Sequence, residues 1–124
     1  TQATLSALPD GDYTFRVIQI RSQKRSAEAS QSFKIDTTPP AAPTILTRPT
    51  FPAIATPTFT WTAEPGAFSR WSVLLADGSP VVGPIDTPVN SAELPPLADG
   101  SYTFQVEQID AAGNVSTATI EGFT

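Results

Sequence analysis

The 124-residue chain contains no cysteine, no methionine and no histidine. Without cysteine there is neither a disulfide staple nor a thiolate nucleophile, and without cysteine and histidine zinc and the softer metals lose their preferred ligands. Hard, oxygen-seeking ions such as calcium are the metals that remain chemically plausible. The missing histidine also leaves the many serines and threonines without the usual base that activates a hydroxyl for attack. Charged residues make up 15% of the chain, below the roughly one quarter usual in soluble domains. Bases are scarcest, and from Thr44 onward only Arg48 and Arg70 occur. With a net charge of −5, this distribution argues against a nucleic-acid partner. No apolar run reaches the roughly 18 residues of a membrane span, and the first residues do not have the basic-then-apolar pattern of a signal peptide.

Proline is what the chain has in quantity. Thirteen prolines fix φ and remove backbone donors about once every ten residues, which rules out long helices and suits short strands joined by turns. A hydrophobic fraction of 40% supplies a core, so the sequence predicts an all-β protein that folds.

The chain also repeats itself. Leu8-Pro9-Asp10-Gly11-Asp12-Tyr13-Thr14-Phe15 returns 89 positions later as Leu97-Ala98-Asp99-Gly100-Ser101-Tyr102-Thr103-Phe104. Val17-Ile18-Gln19-Ile20 is likewise echoed by Val106-Glu107-Gln108-Ile109. A period of that length is the size of a small sandwich, so the chain reads as part of a tandem array. Residues 1–36 are expected to be the C-terminal three strands of an incomplete repeat, residues 37–43 a proline-rich linker, and residues 44–124 a complete repeat. Three prolines in Asp36-Thr37-Thr38-Pro39-Pro40-Ala41-Ala42-Pro43 hold that linker extended and stiff.

Within each copy, alternation identifies strands. Tyr13, Phe15 and Val17 alternate with polar residues, as do Tyr102, Phe104 and Val106. The Asp-Gly ahead of each tyrosine is a turn signal. A short strand, Ala3 to Leu5 or Ser91 to Leu94, is expected to enter that turn. Further strands are expected at Thr44–Leu46, at Pro57–Thr62 with Phe59 and Trp61 inward, and at Arg70–Leu75 with Trp71, Val73 and Leu75 inward. A short Val81-Val82 strand precedes a proline-rich stretch. The loop Asp110-Ala111-Ala112-Gly113-Asn114 leads into a returning strand from Val115 to Phe123. Trp61 and Trp71 are expected in the core, Phe68 in an exposed turn. Gln19 and Gln108, in an inward phase, are either buried and bonded to a neighbouring strand or placed where the sheet opens to water, the second being the more ordinary outcome.

The order Leu97-Ala98-Asp99-Gly100-Ser101-Tyr102, then Val106, then Asp110-Ala111-Ala112-Gly113-Asn114 resembles the end of a fibronectin type III or bacterial immunoglobulin-like repeat. Trp61 stands where such repeats keep a core tryptophan, and the Asp36–Pro43 stretch looks like an inter-domain joint of large bacterial surface and secreted proteins. The resemblance implies an immunoglobulin-like, antiparallel β-sandwich on the cell surface or secreted. It also implies that Tyr13 and Tyr102 are corner tyrosines whose hydroxyls bond back to nearby backbone. Such folds host many functions, so the resemblance does not name a ligand. The expected role is a non-catalytic spacer, stalk or fibre-forming repeat whose partners are neighbouring repeats of the same chain or of identical subunits. The alternatives are a carbohydrate- or protein-binding module and a subunit that polymerises by strand complementation.

No catalytic or cofactor motif is present. Asp36, Asp110 and Asn114 are the candidate calcium ligands, set against the reading that they serve turns and the linker, because calcium needs about six to eight oxygens and no Asp-x-Asp cluster supplies them. The incomplete copy has a further consequence: an apolar face formed by Tyr13, Phe15 and Val17 needs partner strands from elsewhere.

Overall fold

A computed structural model describes residues 1–50, 52 and 56–124. It divides into two compact units, Thr1–Thr38 and Pro39–Thr124.

The second unit is a sandwich of seven strands among the described residues. Its strands are β5 (Ile45–Thr47), β6 (Thr58–Trp61), β7 (Phe68–Leu75), β8 (Pro80–Thr87), β9 (Ser91–Glu93), β10 (Tyr102–Ile109) and β11 (Thr119–Phe123). They form one sheet in the order β11-β10-β7-β8 and another in the order β5-β6-β9, with every pairing antiparallel. Alternation puts Phe59 and Trp61 of β6, Trp71 and Val73 of β7, and Phe104 and Val106 of β10 into one buried cluster, joined by Ala92, Leu94 and Phe123. The Phe59 and Phe104 rings stack across the two sheets at 4.2 Å. Trp61 keeps its indole N–H satisfied inside this core by donating to Ser69 Oγ at 2.8 Å.

Five strand assignments read from the sequence need correction, three of them at strand ends. Leu75 is 42% exposed rather than inward, because it closes β7 next to the Asp77-Gly78 turn. Phe68 opens β7 as a half-buried residue and does not lie in an exposed turn. The returning strand is shorter than expected: Val115 makes only an isolated bridge to Ile109, and the ladder begins at Thr119.

The expected Val81-Val82 strand is instead the eight-residue β8, which carries both Pro80 and Pro84. Its place at the edge of the sheet explains the tolerance, since an edge strand leaves one side of its backbone without a ladder partner. Its register slips opposite Trp71 to Val73, and Gly83 occupies the slip with φ of 82°. A Cβ there would lie 2.7 Å from the Trp71 carbonyl oxygen, so only glycine fits.

The first unit is smaller. Here β1 (Gly11–Val17) pairs with β4 (Ala29–Ile35), and a tip ladder joins β2 (Ile20–Arg21) to β3 (Lys24–Arg25). Tyr13 stacks on its cross-strand partner Phe33 at 5.7 Å. The expected strand at Ala3 to Leu5 is absent, so this unit is a hairpin with a tip ladder rather than three strands.

Candidate functional site

Each unit fastens the chain next to the Thr38–Pro39 boundary with hydrogen bonds of its own. In the first, the Asp10 carboxylate faces the chain leaving β4. Thr37 donates to Asp10 Oδ1 from its N–H at 3.1 Å and from its hydroxyl at 2.6 Å, while the Thr38 hydroxyl donates to Oδ2 at 2.8 Å. The Thr38 N–H donates to Asp36 Oδ1 at 3.1 Å. These bonds to the ionised form, led by the Thr37 hydroxyl, hold the Asp10 carboxyl below its usual range.

In the second unit the Ala41 N–H donates to Glu64 Oε2 at 3.0 Å, the Thr119 hydroxyl donates to the Pro43 carbonyl, and the Thr44 N–H donates to Thr62 Oγ1 at 2.8 Å. Of residues 37–43, Thr37 and Thr38 are thus bonded within the first unit, and Ala41 and Pro43 within the second. Proline restricts the residue before it to extended backbone, so Pro39 limits Thr38 and Pro40 limits Pro39. The Asp10 clasp has no local signature, because an Asp-Gly pair reads as a turn and its partners lie 27 and 28 positions on. The signal available was the pairing of that acid with two consecutive hydroxyls just before a double proline.

The calcium candidates fall in different units. Asp36 belongs to the first, where Oδ1 caps the Thr38 N–H. Asp110 and Asn114 come together in the loop after β10: Asp110 Oδ1 accepts from the Ala112 and Asn114 N–H groups, and Oδ2 accepts from Asn114 Nδ2, all at 2.9 Å. These bonds, led by the Asn114 side chain, lower the Asp110 carboxyl's affinity for a proton. The loop's own donors use both oxygens, which is turn chemistry. Among the described residues no three acids gather as a metal site would need.

Gln108 corrects another expectation. It is 2% exposed, fully bonded, and links the two sheets. Its Oε1 accepts from the Glu64 N–H at 2.8 Å, its Nε2 donates to the Thr62 carbonyl at 2.9 Å, and its backbone N–H donates to Ser116 Oγ at 2.9 Å. Gln19 in the first unit is exposed.

Both corner tyrosines behave as the resemblance implied. Tyr13 donates to the Pro9 carbonyl at 2.7 Å, and Tyr102 to the Ala98 carbonyl at 2.8 Å. Beside Tyr102 a groove of about 400 Å³ is lined by Pro57, Leu97, Ala98, Asp99 and Phe123. Asp99 is the one side-chain carboxylate lining it among the described residues.

The family model of the bacterial Ig-like domain matches residues 50–124. The chain belongs to that family. Its Ig-like fold is also similar to the crystal structure of the rat CD45 extracellular region, domains d3-d4. That match has a TM-score of 0.62 at 13% identity, covering 98% of this chain and 67% of that one. No curated protein matches the chain. Membership of the bacterial Ig-like family, with a buried tryptophan core and corner tyrosines, makes this a module of the structural and adhesion type.

Proposed function

We propose that the chain is a segment of a non-catalytic spacer, in which bacterial Ig-like repeats strung through short stiff joints hold another part of a secreted or surface protein at a distance. The observation that carries this reading is the clasp on each side of Thr38–Pro39, which leaves little free chain between consecutive repeats. A stiff joint turns a row of beads into a rod, whereas a polar flexible linker would not. Both tryptophans lie in the core, and the exposed large apolar side chains among the described residues are aliphatic, so stacking on sugar rings has little to use.

The test is the spread of distances between spin labels placed on exposed positions of β4 and β8. The wild-type chain should give a narrow distribution, and Pro39→Gly combined with Pro40→Gly should broaden it severalfold. A wild-type distribution already as broad as that of the double variant would end the spacer reading.

A further inference from the structure

The turn between β2 and β3 breaks two local rules at once. Arg21 and Lys24 are ladder partners, so two cations stand directly opposite each other on one face of the ribbon. Like charges in that position repel and weaken a hairpin. The two residues between them, Ser22 and Gln23, have φ of 49° and 63°. A two-residue hairpin turn of this form needs left-handed backbone at both positions, which glycine and asparagine adopt most easily and other residues only at a cost. Arg25 follows directly, and Arg21 to Arg25 are all exposed.

Neither departure is compensated nearby. Among the described residues the ion pair of the first unit joins Arg16 to Glu28 at 3.5 Å, and Arg21, Lys24 and Arg25 meet no acid. The corresponding loop of the second unit keeps both rules. There Gly113 takes the left-handed position with φ of 90°, and Asp110 is satisfied by the Ala112 and Asn114 N–H groups and the Asn114 side chain. The base of the β2–β3 turn is held firmly, since the Gln19 N–H donates to Ser26 Oγ and the Ser26 N–H to the Gln19 carbonyl, both at 2.9 Å. A fixed tip that carries strained backbone and facing like charges is where a functional site is expected.

We infer that the β2–β3 tip is a binding site for a sulfate or phosphate ester group carried on a glycan, held between Arg21 and Lys24. An anion seated between the two cations replaces their repulsion with attraction to a shared partner. The Arg21 guanidinium is a planar fork and the Lys24 ammonium a compact point charge, and together they match the three acceptor oxygens of a tetrahedral ester group. A carboxylate, with two oxygens, is matched by the fork alone. Arg25 strengthens the positive field at the same tip.

A pendant ester suits this chain better than a nucleic acid or an anionic membrane does. The net charge is −5, and from Thr44 onward the bases are Arg48 and Arg70, each paired with an acid. A continuous polyanion or an anionic bilayer presents negative charge over a wide area, which the excess acid of this chain repels. A single ester group needs only the tip. The inference concerns what the first unit binds and stands whether or not the repeats act as a spacer.

The test titrates the isotope-labelled full chain at constant ionic strength with a sulfated oligosaccharide, its phosphorylated analogue and the unmodified parent sugar, read by NMR. At least one ester-bearing sugar should move the Ser22 and Gln23 amides and the Arg21 side-chain N–H saturably, and the parent should not. Arg21→Gln combined with Lys24→Gln should raise the half-saturating concentration at least roughly tenfold. Lys34→Gln, an exposed base on β4, should change it by less than about twofold. Gln23→Gly relaxes the turn while keeping both cations and should preserve binding. Unmoved β10 amides in each variant show that the sandwich is intact. Equal responses to all three sugars would overturn the inference, as would a loss from Lys34→Gln as large as that from the tip pair, because the attraction would then be diffuse. Tip signals lost to vesicles of anionic phospholipid and unmoved by the sugars would also overturn it, in favour of a membrane surface.

Discussion

Val17 and Val106 stand at the same place in two copies of one phrase, yet one is half exposed and the other sealed in a core. The copies agree wherever the structure is local. Both tyrosine hydroxyls bond to a carbonyl four residues back. Both loops are clasped by a serine: the Gln19 N–H donates to Ser26 Oγ as the Gln108 N–H does to Ser116 Oγ, and each serine hydroxyl donates to the next carbonyl. They part company wherever a bond reaches across to the front half of a repeat. Short-range hydrogen bonds and turn chemistry therefore persist in a hairpin that lacks its core, whereas strand length, burial and the role of a glutamine are set by strands distant in sequence. A two-stranded ribbon of this kind is only marginally stable in water, while the sandwich buries enough apolar surface to be cooperative.

The sharpest way to break the comparison is to remove one phenylalanine from each copy. Phe104→Ala should cost the sandwich about 3–5 kcal/mol in urea unfolding followed by tryptophan fluorescence, because its ring touches Phe59, Trp61 and Trp71. Phe15→Ala should leave that transition unchanged. The glutamines give a smaller contrast: Gln108→Ala leaves the Glu64 N–H and the Thr62 carbonyl without their partner and should cost about 1–3 kcal/mol, against no change in the same transition for Gln19→Ala. Acid should discriminate least. Asp10 and Asp110 both have lowered proton affinity when folded, so the unfolded chain binds more protons and the contribution of each is present above the ordinary carboxylate value near 3.8 and lost as pH falls below it. Titration followed by NMR should show the Thr37 and Thr38 amide signals moving with Asp10, and those of Ala112 and Asn114 with Asp110, each with a midpoint below 3.8. Asp110→Asn should abolish the second movement and leave the first.

Much of the fold was legible because alternation is a local signal. Phe59, Trp61, Trp71, Val73, Phe104 and Val106 were all read inward from spacing alone, and all are buried. What the sequence hid depended on position within the sheets or on distant partners. The full length of β8 is hidden because prolines oppose strands, and its place at an edge, with Gly83 at the slip, makes them acceptable. For Gln108 the pattern leaves burial and exposure both open, because the groups that satisfy it lie 44 and 46 residues away. The Asp10 clasp was missed for the same reason. Ala3 to Leu5 carry a strand pattern but form no strand, because alternation alone does not supply a ladder partner.

Strand β10 lies between two strands over a buried core, whereas β1 is paired with β4 alone among the described residues. Amide hydrogen exchange on the unmodified chain at low concentration tests that difference most directly. Amides of β10 paired to β7 should exchange at least roughly a thousandfold more slowly than in an unstructured peptide, and those of Tyr13 to Val17 within about tenfold of one. Equal protection of β1 and β10 would contradict the account.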